Sequence, residues 1–133
     1  RFNDISVSDL CMGTSIAAYE YYQFMAQAMR EQYPVTGGLM PWVFKRPWAT
    51  VAVQMIDGNY DPIAPYYAIK NSYLPLSVHL ALTELTYAKG EKIKLDVHIL
   101  NETEKSHNLC CDLQVYSPKL KLCFSKKSDI SIP

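Results

Sequence analysis

At Pro75 the apolar period of this chain changes from that of a helix to that of a strand, and no other feature constrains its fold as strongly. Between Thr14 and Gln32, the residues Ile16, Ala17, Tyr21, Phe24, Met25, Ala28 and Met29 recur at spacings of three and four. That spacing places them on one stripe of a helix. Thr14 or Ser15 can cap its start, with Gly13 giving the chain freedom to turn into it. Tyr33-Pro34 ends it, because the residue before a proline avoids helical geometry. Beyond Pro75, Leu76, Val78, Leu80 and Leu82 alternate with Ser77, His79, Ala81 and Thr83. Ile93, Leu95, Val97 and Ile99 alternate in the same way with Lys92, Lys94, Asp96 and His98. Leu109, Cys111, Leu113 and Val115 make a third run, and Lys121 to Phe124 a shorter fourth. Alternation with one polar face predicts antiparallel sheet, with His79 and His98 pointing outward.

Between these halves lie a turn, Val35-Thr36-Gly37-Gly38, and the run Leu39 to Phe44, apolar at every position. Such a run suits a strand buried on both faces, with Pro41 near its end or at a bulge. A loop with Lys45, Arg46, Pro47 and Trp48 follows, then a second apolar stretch, Val51 to Ile56, stopped by the turn Asp57-Gly58-Asn59. Tyr66 to Lys70 is expected to be a short helix with proline near its first turn. The expected fold class is therefore α+β, with helix, strand and helix in residues 1–75 and a partial antiparallel immunoglobulin-like sandwich in residues 76–133. Only about four strands fit in the second part, where such a sandwich has about seven. With 133 residues the chain suits one ordinary domain and is short for two.

Thirteen basic residues balance thirteen acidic ones, with no long like-charge block. Nucleic acid and anionic membrane, which need a basic surface, are thereby disfavoured as partners. No apolar run approaches the about eighteen residues of a membrane-spanning helix. The chain opens on Arg1-Phe2-Asn3-Asp4 without an apolar leader or an initiator Met, as expected of a trimmed product or a piece of something longer. Ten tyrosines and two tryptophans suit a sugar-binding surface or a protein interface equally. The four cysteines, Cys11, Cys110, Cys111 and Cys123, have no zinc-motif spacing. Cys110 and Cys111 point to opposite faces of a strand, and Cys123 either faces one of them across a hairpin or stays, like the others, a buried thiol. Asn101-Glu102-Thr103 reads as an N-glycosylation acceptor in a turn, and the compartment stays open.

Catalytic groups are not evident. Asp57 and Asp61 flank a turn, where aspartates are usually structural. Glu84 and Glu91 sit at strand ends, Glu102 and Glu104 in a polar hairpin, and Glu20 on a solvated helix face. His79, His98 and His107 show no metal-ligand spacing, so neither a metal nor a cofactor is expected. Lys45 and Arg46 suit either an anionic group or a solvated loop. Trp42 and Trp48, on either side of that basic loop, suit stacking on a sugar ring or packing in a core equally well.

The succession Gly38-Leu39-x-x-Trp42, Trp48, Ile56-Asp57-Gly58, Pro65-Tyr66-Tyr67-x-x-Lys70 and Leu74-Pro75 resembles the end of the catalytic barrel in glycoside hydrolase family 2. Within that family it is most similar to the β-mannosidase and exo-glucosaminidase branch. The continuation Tyr87-x-x-Gly90-Glu91, an alternating strand and Asn101-Glu102 resembles the opening of the immunoglobulin-like domain that follows. The resemblance implies that residues 15–32 are the helix after the seventh barrel strand, 38–44 the eighth strand and 63–73 the closing helix. It implies Trp42 at the floor of the subsite for the released sugar, with Trp48, Lys45 and Arg46 at the cleft rim. Both glutamates of the retaining mechanism would precede Arg1, leaving no catalytic residue on this chain. Lys45-Arg46 stands where the family often has Asn-Asp, a departure that bears on sugar specificity. The expected partners are a carbohydrate substrate and either the remainder of a parent chain or a second copy. A non-catalytic carbohydrate-binding or interaction module is the alternative, and a scaffold fragment without a site the third.

Overall fold

The computed structural model describes residues 4–48, 54–81, 84 and 86–133. The chain is a small α+β structure: two helices precede Pro75, and four strands in two antiparallel two-stranded sheets follow it.

Helix α1 runs from Val7 to Glu31, beginning well before the expected Thr14. The start is set by Ser6, whose hydroxyl accepts from the Asp9 backbone N–H at 3.0 Å, with the Asp9 carboxylate at the positive end of the helix dipole. Thr14 is not a cap. Its hydroxyl donates back to the Leu10 and Cys11 carbonyls from within the helix. The face that packs is also displaced from the expected stripe. Tyr22, Ala26 and Gln27 are buried, whereas Ile16, Tyr21, Phe24 and Met29 are exposed. Apolar residues lie on more than one side of α1, so its period leaves the phase open, and a shift of one residue rotates the face by about 100°. Packing against α2, Ala64–Ser72, decides it: Ala26 and Ala68 are fully buried, and Tyr22, Met55 and Ala68 form the core with Tyr19, Met25, Ile56, Tyr66 and Ile69 around them. Pro65 starts α2 in its first turn, as expected.

Residues 38–44 do not form the expected strand. The segment keeps a period of two, with Leu39, Pro41 and Val43 half-buried and Met40, Trp42 and Phe44 exposed. It lacks a ladder. Phe44 O accepts from the N–H groups of Met55 and Ile56 at 3.0 and 2.9 Å, and Lys45 makes one parallel bridge to Ile56. A strand buried on both faces requires a paired neighbour at each edge, and among the described residues these bonds are joined only by one from the Leu39 N–H to the Tyr73 hydroxyl at 3.2 Å. Half of the expected stretch Val51 to Ile56, residues 51–53, lies outside the described residues.

Strand β1, Leu76–Ala81, pairs with β2, Asp96–Asn101, from Leu76↔Asn101 to Ala81↔Asp96. Strand β3, His107–Tyr116, pairs with β4, Leu122–Ile132, which is much longer than the expected Lys121 to Phe124. The second expected strand begins later than predicted, leaving Ile93 exposed outside it. In β1 the faces are reversed: Val78 is 59% exposed, and His79 is buried. All four cysteines are free thiols, three exposed and Cys111 half-buried, rather than buried as expected. Cys110 and Cys111 oppose Asp129 and Ser128, while Cys123 falls at the bulge beside Val115 and Tyr116, so it faces neither.

Arg30, in the last turn of α1, ties the helices to the strands. Its guanidinium donates to the carbonyls of Ser72 and Leu74 and to the Ser77 hydroxyl. It also lies 3.0 Å from a Glu102 carboxylate oxygen, an ion pair by distance without the alignment of a hydrogen bond. The Tyr73 ring covers it, 5.8 Å from the guanidinium carbon to the ring centroid.

Candidate functional site

The extended segment and the loop after it present the expected binding residues. Trp42 is 96% exposed and Trp48 60% exposed. Among the described residues neither indole pairs with another aromatic ring. Each indole offers a rigid apolar surface to solvent at low entropic cost. Lys45 does not extend into solvent. Its ammonium lies 3.0 Å from the centroid of the Tyr60 ring, a cation–π contact. Hydrogen bonding from Lys45, followed by its charge, pulls the Tyr60 hydroxyl below the usual tyrosine pKa. Arg46 is half-buried, and its Nε has no hydrogen-bond partner among the described residues. Pro41 and Phe44 line an open cleft of about 330 Å³ with Met55, Tyr66, Ile69 and Lys70.

The turn that carries Tyr60 is locally determined. Asp57 Oδ1 accepts from the backbone N–H groups of Asn59 and Asp61, and Tyr60 has a φ of 73°. Asp57 thus has the structural role predicted for a turn aspartate. Glu91 likewise accepts from the Ala88 N–H at 2.7 Å, and Glu102 faces Arg30. Burial, then the neighbouring Tyr21, raises the pKa of Tyr22 in the helical core.

The histidines are arranged differently from expectation. His79 and His98 are cross-strand partners whose rings lie 5.4 Å apart, and the Glu31 carboxylate reaches both. His79 faces inward because the end of α1 covers that side of β1. Strand alternation showed that His79 and His98 could share a face, but nothing local placed Glu31 over it. His107 is separate, its Nε2 2.6 Å from the Thr103 hydroxyl. At the expected glycosylation triplet, Asn101 Nδ2 donates to the carbonyls of Lys105 and Pro133 at 2.8 and 2.5 Å. Among the described residues no helix is long and apolar enough to cross a membrane.

Comparison with known proteins found no family model that matches the chain, and no curated protein or solved structure with significant similarity to it.

Proposed function

We propose that this chain is part of a retaining exo-β-glycosidase acting on terminal β-linked sugars of the mannoside type. In this reading residues 1–75 supply the last helix, strand and helix of a (β/α)8 barrel, and residues 76–133 the start of an immunoglobulin-like sandwich. The observation that carries it is Trp42, whose indole faces solvent from an extended segment at the place the family resemblance gives to the sugar platform. Exposed Met40 and Phe44 lie on the same row, an apolar face for the rest of the parent chain or a second copy to cover. Pairing of residues 38–44 at both edges would then complete the ladder that this segment lacks.

Retaining hydrolysis uses one carboxylate as nucleophile and another as acid, then base. Both belong upstream of Arg1 in this proposal, so the chain contributes positioning through Trp42, Trp48, Lys45 and Arg46 rather than proton transfer. Side-by-side assays of aryl β-glycosides test it, using this chain and the full product of its gene. Cleavage by the full product alone is expected; turnover by the chain alone would return Asp57, Asp61 and Glu20 to consideration as catalysts.

A second reading, a non-catalytic carbohydrate-binding module, is favoured by the same solvent-facing indoles. Sugar binding by the chain, with no hydrolysis by either protein, would select it.

A further inference from the structure

Three side chains distant in sequence converge where the end of α1 meets the β1–β2 hairpin. Glu31 is the last residue of α1, and His79 and His98 stand opposite each other in β1 and β2. One oxygen of Glu31, Oε1, contacts His79 Nε2 and lies 2.7 Å from His98 Nδ1. The three potential ligand atoms all lie within 4.8 Å of one another. Side-chain exposure grades from 5% at His79 through 24% at Glu31 to 40% at His98. The cluster is therefore closed on its inner side and open toward a groove lined by Gln32, Val97, Ile99 and Leu100.

We propose that Glu31, His79 and His98 bind a divalent transition-metal ion of the zinc class. His79 Nε2, His98 Nδ1 and a Glu31 carboxylate oxygen are the ligands, and the groove side leaves a coordination position open.

The donor set selects the ion. Two imidazoles and one carboxylate suit zinc and its first-row neighbours, whereas magnesium and calcium favour oxygen ligands throughout. Charge points the same way. Glu31 sits at the negative end of the α1 dipole, where a carboxylate is disfavoured and a cation favoured. The adjacent Arg30 does not neutralise it, because that guanidinium is turned to Ser72, Leu74, Ser77 and Glu102. Both ring nitrogens point at one carboxylate oxygen, which can only accept, so a bound ion would take the place of the ring protons directed at it. Zinc holds such atoms at about 2.0–2.2 Å. Since the ligands come from α1, β1 and β2, the ion would clamp the helix to the hairpin.

The test is titration of the metal-stripped 133-residue chain with Co²⁺, followed by its d–d absorption, with Zn²⁺ competition and thermal unfolding in parallel. One equivalent of Co²⁺ is expected to bind and be displaced by Zn²⁺, which raises the Tm. His98→Ala, at the most exposed ligand, should weaken binding by more than the roughly 10–100-fold that loss of a supporting partner costs. Glu31→Gln keeps the shape of its side chain and should have the same effect, giving a second variant if His98→Ala misfolds. Cys110→Ser and Cys111→Ser should leave the signal intact. Absence of a metal-dependent change in the unsubstituted chain overturns the proposal, as does binding retained by both ligand variants or lost on removal of a cysteine.

Discussion

The guanidinium of Arg30 meets the carboxylate of Glu102 at 3.0 Å, across the boundary at Pro75 where the chain changes from helices to strands. The two partners differ in surroundings, the Arg30 side chain being 7% exposed and that of Glu102 59%. An ion pair with one partner in solvent contributes at most about 1 kcal/mol. The bonds from Arg30 to the carbonyls of Ser72 and Leu74 are charge-assisted, a kind of bond worth about 1.5–3 kcal/mol. Arg30→Ala should therefore cost about 2–4 kcal/mol of stability and Glu102→Ala less than about 1 kcal/mol. Urea unfolding of the two variants measures the difference, and equal losses would place the stabilisation in the ion pair instead.

Gly13 lies inside α1, and a Cβ built there meets nothing within 4 Å. Helix propensity then governs the substitution. Gly13→Ala is expected to stabilise the chain by about 0.5–1 kcal/mol. Ser6→Ala, which removes the cap on Asp9 N–H, should destabilise it by about 1 kcal/mol. Thr14→Ala should not reproduce the Ser6 loss, because Thr14 caps nothing. Thermal melts of all three variants check the observed start of α1 against the later one expected from the pattern.

Trp42 and Ala68 should respond oppositely to substitution. The indole is almost wholly in solvent, so Trp42→Ala should change the stability of this chain by less than about 0.5 kcal/mol. In the full product of the gene it should reduce glycoside hydrolysis, if Trp42 holds the sugar as proposed. Ala68→Leu places bulk where α2 meets α1 and should cost about 1–3 kcal/mol. A large stability loss for Trp42→Ala would put the indole in a core and remove the basis for the sugar platform.

Alkaline pH should unfold the chain partly through Tyr22. Burial raises its pKa in the folded state, so the neutral phenol is favoured there more than in the unfolded chain. The contribution is fully present below the ordinary tyrosine pKa of about 10 and is lost as pH rises through the folded-state value. Tyr22→Phe should flatten that loss while shifting stability near neutral pH by only about 1 kcal/mol. Denaturant midpoints measured from neutral to strongly alkaline pH give both curves; parallel slopes would mean that Tyr22 does not contribute.

The features legible in the residue order were local. The 3.6 period and Tyr33-Pro34 placed the end of α1, Pro65 placed the start of α2, and alternation after Pro75 required antiparallel strands. Asp57 was legible as a turn residue because its bonds run to Asn59, Tyr60 and Asp61, all within four residues of it. Tertiary structure decided which faces are covered. A strand offers two faces of equal period, and only the end of α1 lying over β1 made His79 the inner residue and Val78 the outer one. The same holds for α1, whose several apolar sides fitted more than one phase until Tyr22 packed with Ala68 of α2. Residues 38–44 have the alternation of a strand but not its ladder, since pairing depends on partner strands as well as on their own side chains. Period is a property of neighbouring residues, whereas burial and the meeting of Glu31 with His79 and His98 depend on contacts between segments far apart in the chain.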